Sequence, residues 1–299
     1  TTRLKLDLPK TEGARPSDAP LFIAVSIDEQ GQLFVGDEAV SSEQLLQRAR
    51  EAAQRDASTE VQLRADKTKN LVEIVKGAAD FEKAAKDWKK LGLPTWAKNG
   101  LEGFLFPDTY EIPDKPTAKS MIKMATAQFN AVAEDLKLEA EAEVLGYTPY
   151  QVLVMASIIE KEAGPREEDR AKIARVFYNR LDKSAGFGGK LQSDATVAFA
   201  NKVTGRVFTT DAERALKSDW NTYYVAGLPK GPITSPSKKS IEAALNPAEG
   251  DWTYFVVVNL DTGETAFANN LAEHSANAEK LQAWCKESKA NRDKCNGKK

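Results

Sequence analysis

The sequence predicts an α+β protein in two parts: a small α/β domain over residues 1–76 and a larger mixed α+β domain over residues 77–299. Three observations lead to this prediction. Short strand patterns and one capped helix fill the first part, helical patterns dominate the second, and a hairpin pattern lies near the C-terminus. Apolar residues make up 41% of the chain and charged residues 29%, which is typical of a globular protein with a hydrophobic core.

The composition narrows the range of functions. The net charge of −2 comes from well-mixed charges of both signs, so bulk electrostatics do not favour nucleic-acid binding. No apolar run approaches the ~20 residues that a membrane helix needs. One His (His274) and two Cys (Cys285 and Cys295) cannot form a dedicated zinc site, and we expect no metal or cofactor. The two cysteines fit either a disulfide or two free thiols. Carboxylate chemistry is the main enzymatic option left.

Residues 1–66 have the pattern of a small β-β-β-α-β unit. A helix begins at Ser41, which is a good N-cap, and runs to about Arg55. The turn between the second and third strands is expected at Asp28-Glu29-Gln30-Gly31. The expected strands are Leu4 to Leu8, Leu21 to Ile27, Gln32 to Val35 and Glu60 to Ala65.

Four motifs in this unit carry a family resemblance. They are Leu6-Asp7-Leu8-Pro9-Lys10, Ile27-Asp28-x-x-Gly31-Gln32-Leu33, Ser41-x-Glu43-x-Leu45 and Val61-Gln62-Leu63-Arg64-Ala65-Asp66-Lys67. The unit resembles the periplasmic domain of the ExbD/TolR family. That resemblance implies an energy-transducing membrane partner, an edge strand used for docking, and a homodimer through residues 1–76. The family's membrane helix does not appear before Arg3, and a generic α/β fold without such a role is the alternative.

A helical pattern rich in Lys and Ala spans residues 69–90 and ends at Leu91-Gly92-Leu93-Pro94. We place the domain boundary between Lys76 and Phe81. A unit of residues 1–76 that resembles one family, joined to a remainder that resembles another, indicates a fusion, natural or engineered.

The stretch from Thr148 to Gly164 is predicted to be the central helix of the second domain. Thr148 suits the N-cap and Pro149 the first helical position, while Gly164 followed by Pro165 is a stop signal. Residues 152–159 are apolar on nearly every side, so this helix should be buried all round.

Two carboxylates follow the buried run. Glu160 and Glu162 are two residues apart, so their side chains should point to roughly opposite faces. Glu160 continues the faces of Ala156 and Ile159, and we expect burial to raise the pKa of its carboxyl so that it can act as a general acid. The alternative is that both are solvated charges at the end of a helix.

The remaining elements are predicted in chain order. Residues 101–112 interleave aromatic rings with Gly, Pro and carboxylates, which fits either a glycan site or a loop pinned to the core by Phe. Gln192, Asp194 and Thr196 alternate, so they should share one face of an extended segment. Helices are expected over residues 118–136, 167–181, 237–245 and 273–285, a hairpin over 252–268, and a frayed tail over 286–299.

Six ordered motifs over about residues 81–285 identify this part as similar to the YceG-like family of endolytic murein transglycosylases. The motifs are Glu102-Gly103-Phe104-x-Phe106-Pro107-Asp108-Thr109-Tyr110, Ala156-Ser157-Ile158-Ile159-Glu160-Lys161-Glu162, Val176-Phe177-Tyr178-Asn179-Arg180-Leu181, Leu191-Gln192-Ser193-Asp194-x-Thr196, Asn221-Thr222-Tyr223 with Gly227-Leu228-Pro229-x-Gly231-Pro232-Ile233, and Glu273-His274.

This resemblance implies cleavage of the β-1,4 bond between N-acetylmuramic acid and N-acetylglucosamine in peptidoglycan, with 1,6-anhydromuramyl ends as products. It implies Glu160 as the single acid and base, with Glu160→Gln expected to abolish cleavage and leave the fold intact. The expected substrate-binding residues are Glu102, Gln192, Asp194, Asn221, Tyr223 and His274. The implied setting is the periplasmic face of the inner membrane, with a membrane anchor in the full-length protein and cell-wall synthesis proteins as partners.

The chain departs from the family pattern at two points. An ExbD/TolR-like unit stands where the family usually has a LysM-like module, and Trp220 stands where Tyr is frequent. Two other readings stay open. One is a lysozyme-like hydrolase with Glu162 or Asp194 as its second carboxylate. The other is a non-enzymatic periplasmic adaptor that acts through residues 1–76.

Overall fold

The computed structural model describes residues 22–27, 33–35, 38–41, 44, 47–48, 60–65, 78–110, 116–203 and 209–295. The chain divides into two compact units: the first takes residues up to Ala78 with Thr109–Thr117, and the second takes Ala79–Asp108 with Ala118–Lys299. The strand expected over Leu4 to Leu8, the turn at residues 28–31 and the helical pattern over residues 69–77 lie outside the described residues.

The first unit contains a four-stranded sheet with the strand order β3-β2-β1-β4. Strand β1 (Phe22–Ile27) pairs antiparallel with β2 (Leu33–Val35) and parallel with β4 (Glu60–Ala65). These three strands were predicted, as an apolar run, the return of a hairpin and an alternating segment, and are confirmed. Strand β3 (Glu38–Val40) extends the meander and was not predicted, because three residues carry too little pattern.

The predicted cap at Ser41 is confirmed by two reciprocal hydrogen bonds. The Gln44 amide donates to Ser41 Oγ at 3.2 Å, and the Ser41 amide donates to Gln44 Oε1 at 2.8 Å. Among the residues that follow, Gln44, Gln47 and Arg48 are described and helical.

The second unit is built from helices around one core, with a hairpin at its C-terminal side. Its helices are α1 (Ala78–Lys86), α2 (Ala118–Asp135), α3 (Leu138–Val144), α4 (Pro149–Glu162), α5 (Asp169–Leu181), α6 (Asp194–Ala200), α7 (Asp211–Arg214), α8 (Lys238–Leu245), α9 (Leu271–Glu287) and α10 (Lys289–Cys295). Strands β5 (Tyr254–Asn259) and β6 (Glu264–Ala268) form the antiparallel hairpin.

Helix α4 is the centre of the second unit, as predicted. Thr148 and Gln151 form a capping box at its start, with the Thr148 amide donating to Gln151 Oε1 at 2.8 Å and the Gln151 amide to Thr148 Oγ at 3.3 Å. Every side chain from Val152 to Ile159 is buried. The polar one among them, Ser157, donates to the Val154 carbonyl and accepts from the Ile233 amide, so its hydroxyl is satisfied inside the core.

The loop over residues 101–106 is pinned to this core by Phe104 and Phe106, which are buried. Gly103 has φ +88°, and a Cβ there would lie 2.6 Å from Cγ of Pro232, so a side chain at this position would collide with Pro232. The core-pinned interpretation of this aromatic stretch therefore holds for its Phe residues.

The C-terminal region is more ordered than the sequence indicated. The expected frayed tail is wrong over the described residues, because α10 continues to Cys295 and a disulfide joins Cys285 to Cys295. Lys294 also forms an ion pair with Asp261 in the turn of the hairpin. The disulfide and this ion pair hold a charged segment in place, although its composition predicted a frayed tail.

Within the described residues, no single helix is long and apolar enough to cross a membrane. Helices α3 and α4 reach the required length and composition only when taken together, and they are bent by 93° at their junction.

Candidate active site

The two carboxylates at the end of α4 face different surroundings. Glu160 turns toward the N-terminus of α8, where its Oε2 accepts hydrogen bonds from the Ser237 amide at 3.1 Å, Ser237 Oγ at 2.6 Å and Ser240 Oγ at 2.7 Å. Arg170 of α5 adds an ion pair, with Nη1 at 3.3 Å from the same oxygen. One carboxylate oxygen therefore joins three helices.

This arrangement holds the pKa of Glu160 below its ordinary value. Burial at the helix end raises the pKa, but the two serine hydroxyls, the Ser237 amide and the Arg170 guanidinium together outweigh it because all of them favour the charged form. The expected raised pKa is therefore wrong. The sequence showed the apolar helix before Glu160, but not the donors that the distant residues supply.

Glu162 turns to the other side, toward the N-terminus of α6. Its Oε1 accepts from Ser193 Oγ at 2.5 Å and from the Ala195 amide at 3.3 Å. Burial raises the pKa of Glu162 and neighbouring Asp194 adds to the rise, while Ser193, Ala195 and the Arg180 guanidinium oppose it without cancelling it. The residue as a whole remains partly exposed. Glu162 is therefore an acid whose pKa is raised by burial of its carboxyl.

The segment that meets Glu162 is not extended as the alternation predicted. Ser193 is the N-cap of α6, so Asp194 is already helical, and Gln192 before it has a left-handed backbone with φ +52°. The prediction was wrong because Ser193, between the first two alternating residues, is an N-cap, and the helix that it begins includes Asp194 and Thr196. The turn leaves the Gln192 side chain partly exposed and without a hydrogen bond to any described residue.

Asp194 and Tyr223 lie together beside Glu162. Asp194 Oδ1 accepts from the Tyr223 hydroxyl at 2.9 Å and from Thr209 Oγ at 2.8 Å, and Arg214 Nε lies 3.4 Å away. Burial, and then the Asp194 carboxylate, raise the pKa of Tyr223. The phenol is therefore a fixed neutral group with its proton directed at Asp194.

Asn221 supports this loop from inside. Its side chain is fully buried, its Nδ2 donates to the Arg214 and Leu216 carbonyls at 2.8 and 2.7 Å, and its Oδ1 accepts from the Tyr223 amide at 2.9 Å. These contacts use the whole amide, so Asn221 holds the position of Tyr223 and does not face the solvent-accessible side of the site.

Arg180 was not singled out by the sequence, although it lies at the base of the site. It is buried, and its Nη1 donates to the Leu191 carbonyl at 2.6 Å. Its guanidinium carbon lies 4.9 Å from the ring of Phe187 and 5.7 Å from that of Tyr254. A charged residue on the apolar stripe of α5 was the available signal.

His274 lies beside Tyr254, and the two rings stack with centroids 5.1 Å apart. Burial lowers the pKa of His274 and the nearby Arg180 lowers it further, so the imidazole is neutral near physiological pH.

Glu102 is the last predicted site residue. It is exposed as a residue, but burial of its carboxyl raises the pKa and the Lys161 ammonium opposes this rise. Lys161 lies between Glu160 and Glu162, so Glu102 is close to the same end of α4. Across the described ranges, no group of three or more His, Cys, Asp or Glu side chains could hold a metal ion.

The fold and site together define an α+β protein whose buried helix presents a raised-pKa carboxyl beside a tyrosine, an arginine and aromatic rings. The model of the YceG-like family matches residues 26–280, and the chain belongs to this family.

Named relatives agree with this assignment. The chain is 40% identical over 185 residues to an endolytic murein transglycosylase of Bacillus subtilis, covering 61% of this chain and 48% of the relative. It is 35% identical over 186 residues to an endolytic murein transglycosylase of Streptococcus pneumoniae, covering 60% and 32%. The chain thus spans about half or less of these relatives.

Two further similarities are to a solved structure and to a transport protein. The crystal structure of a yceG-like protein from Listeria monocytogenes superposes with a TM-score of 0.55 at 33% identity, over 66% of this chain and 62% of that one. The biopolymer transport protein ExbD of Pseudomonas aeruginosa is 36% identical over 84 residues, which are 28% of this chain and 63% of that protein.

Proposed function

We propose that the second unit is an endolytic peptidoglycan lytic transglycosylase. It cleaves the β-1,4 bond between N-acetylmuramic acid and N-acetylglucosamine and leaves 1,6-anhydromuramyl ends. The names of the relatives support this substrate and reaction. One observation carries the proposal in the structure: Glu162, a partly exposed residue at the end of the buried helix, has a carboxyl with a raised pKa that Ser193 holds by a hydrogen bond.

The reaction needs one group that first donates a proton and then accepts one. Protonated Glu162 donates to the glycosidic oxygen, and the bond from that oxygen to C1 breaks to give an oxocarbenium-like sugar. The Glu162 carboxylate then removes the proton from the C6 hydroxyl of the same muramyl residue, and O6 bonds to C1. Water does not enter, so no second carboxylate is needed to activate it.

The surrounding residues suit this cycle. Arg180 lies close enough to Glu162 to lower its pKa, and so it stabilises the carboxylate that forms after proton donation. Asp194, whose charge acts on Glu162, accepts a hydrogen bond from the Tyr223 hydroxyl and holds the phenol in place. The Gln192 amide and the stacked Tyr254 and His274 rings provide hydrogen bonds and an aromatic surface for N-acetylated sugars.

Glu160 receives a different role from the one inferred from sequence. Its Oε2 is occupied by two serines and an arginine, and its pKa is lowered, so it is ionised at neutral pH and poorly suited to donate a proton. We assign it to positioning: it ties the end of α4 to α5 and α8 and thereby fixes where Glu162 lies.

Paired isosteric variants test this assignment. Glu162→Gln should lower cleavage of purified glycan strands by about 10³-fold because the amide cannot donate the proton. Glu160→Gln, which keeps a hydrogen-bond acceptor, should lose about tenfold or less. Mass spectrometry of the products measures both. If the folded Glu160→Gln variant is inactive while Glu162→Gln is active, the catalytic acid is Glu160 and the assignment to Glu162 is wrong.

The same spectra distinguish the hydrolase. A lysozyme-like mechanism adds water and gives reducing ends that are heavier by one water than anhydro ends. Asp194 would be the second carboxylate, but its Oδ1 is already occupied by Tyr223, Thr209 and Arg214. We therefore expect anhydro ends only.

The setting and partners form the remaining part of the proposal. A protein that acts on murein works outside the cytoplasm. We propose that this one works at the periplasmic face of the inner membrane, with a membrane anchor and cell-wall synthesis proteins as partners. The similarity of part of the chain to ExbD supports an energy-transducing partner and a homodimer, which we propose to form through residues 1–76. Sedimentation equilibrium of the whole chain tests the dimer, and a monomer at all concentrations would reject it.

A further inference from the structure

A groove of about 650 Å³ opens in the second unit, separate from the candidate active site. The C-terminal half of α5, the turn after it and the segment that leads into β5 form its walls. Tyr147 and Tyr178 contribute an aromatic pair, with ring centroids 5.1 Å apart and planes at 48°. Tyr178 is fixed by a hydrogen bond from its hydroxyl to the Ala244 carbonyl, at 2.9 Å.

The groove and the active site border the same two segments. Asn179 lines the groove, and the next residue, Arg180, lies at the base of the site. Thr253 lines the groove while Tyr254 stacks on His274 in the site, and Arg180 Nε donates to the Thr253 carbonyl at 2.7 Å. The groove and the candidate site are therefore built on neighbouring residues of the same two segments.

The groove offers polar groups that the fold does not use. Neither the Asp251 carboxylate, the Tyr147 hydroxyl nor the Asn269 side-chain amide makes a hydrogen bond to any residue in the described part of the chain. Together they supply an acceptor, a hydroxyl and an amide beside an aromatic face. Such a set matches a neutral N-acetylated sugar, which presents hydroxyls, an acetamide and an apolar ring face.

We propose that this groove is a second glycan subsite, which binds N-acetylhexosamine units of the same strand at a distance from the bond that is cleaved. The proposal rests on the proposed function, because it assumes a glycan strand as substrate. Its consequence is a dependence on strand length: long strands gain contacts in the groove, and short fragments that occupy only the active site do not.

The test uses a double variant, Tyr147→Phe with Asp251→Ala, in a Glu162→Gln background that prevents turnover. Tyr147→Phe keeps the aromatic pair, and Asp251 is exposed, so the fold should survive. Glu249→Ala is the matched control. It removes an exposed carboxylate from the same loop, but Glu249 does not line the groove. Thermal unfolding followed by circular dichroism checks that all the variants are folded.

Binding of peptide-free glycan strands is measured by calorimetry with long strands and with tetrasaccharides. We expect the Kd for long strands to rise about tenfold in the double variant, with no change for tetrasaccharides or in the Glu249→Ala control. An unchanged Kd for long strands, an equal loss for both lengths, or competition by free stem peptide instead of sugar would overturn the proposal.

The two proposals fail separately. If long strands bind through the groove but the protein with Glu162 intact releases no anhydro ends, the function fails and the subsite stands. If anhydro ends appear while the double variant binds long strands as tightly as its parent, the subsite fails and the function stands.

Discussion

Glu160 and Glu162 are the same residue type at the end of the same helix, yet their pKa values move in opposite directions. Burial is the largest single influence on both, and it raises both. The difference comes from what each carboxylate accepts. Glu160 has two hydroxyls, an amide and a guanidinium on one oxygen, whereas Glu162 has one hydroxyl and one amide.

Burial alone does not identify a catalytic acid. A buried carboxylate with enough donors becomes a structural anion, while one with few donors keeps its proton more readily. The first is suited to hold helices together and the second to donate a proton. Separate measurements of stability and protonation can test that division of labour.

The largest stability effect is expected from Glu160→Ala. The change leaves Arg170 and the hydroxyls of Ser237 and Ser240 without their anion, and Arg170 Nε already lacks a partner among the described atoms. Because the pair is mostly shielded from solvent, at 15% and 24% side-chain exposure, we expect a loss of about 2 to 3 kcal/mol in the free energy of unfolding. Urea unfolding measures it.

Glu249→Ala serves again as the control, and its urea midpoint of unfolding should equal that of the wild-type protein. If Glu160→Ala unfolds at that same midpoint, the ion pair and its serines do not stabilise the end of α4. The positioning role of Glu160 would then have no support.

The second prediction concerns pH and has opposite signs for the two residues. The lowered pKa of Glu160 gives stability that is present above its unfolded value of 4.5 and is lost as the pH falls through the folded value. The raised pKa of Glu162 gives stability that is present below 4.5 and is lost as the pH rises through its folded value.

Melting temperatures recorded from acidic to neutral pH separate the two contributions. Glu160→Gln should flatten the loss of stability on the acidic side, and Glu162→Gln should flatten the loss on the side above 4.5. Two Gln variants that alter the same side of the curve would contradict the opposite shifts.

The sequence predicted the helix well and the site poorly, for one physical reason. Helix α4 is specified locally by the Thr148 cap and its apolar run, so its bounds and burial were predictable. The choice between the two carboxylates depends on donors that come from α5, α6 and α8. These partners are 10 to 80 residues away in the chain, and no local pattern shows which carboxylate they approach.

Other differences follow the same rule. Asn221 was expected to contact substrate, but its partners are backbone carbonyls that only the folded loop brings near it. Ser193 carried a local signal that could have been used. A Ser before Asp194 is a common N-cap, and it predicts a helix start where the alternation suggested an extended segment.

The smallest effect is expected from Lys161→Ala, which alters the residue between the two carboxylates and leaves both of them in place. Lys161 is exposed, so the cleavage rate should change by no more than about twofold and the free energy of unfolding by only a fraction of a kcal/mol. The pKa of Glu102 should rise further, because Lys161 is the charge that opposes its increase. Carbon-detected NMR titration of the carboxyl measures this shift. A rate loss of about tenfold or more would show that the exposed face of the helix end, and not only the two carboxylates, takes part in the reaction.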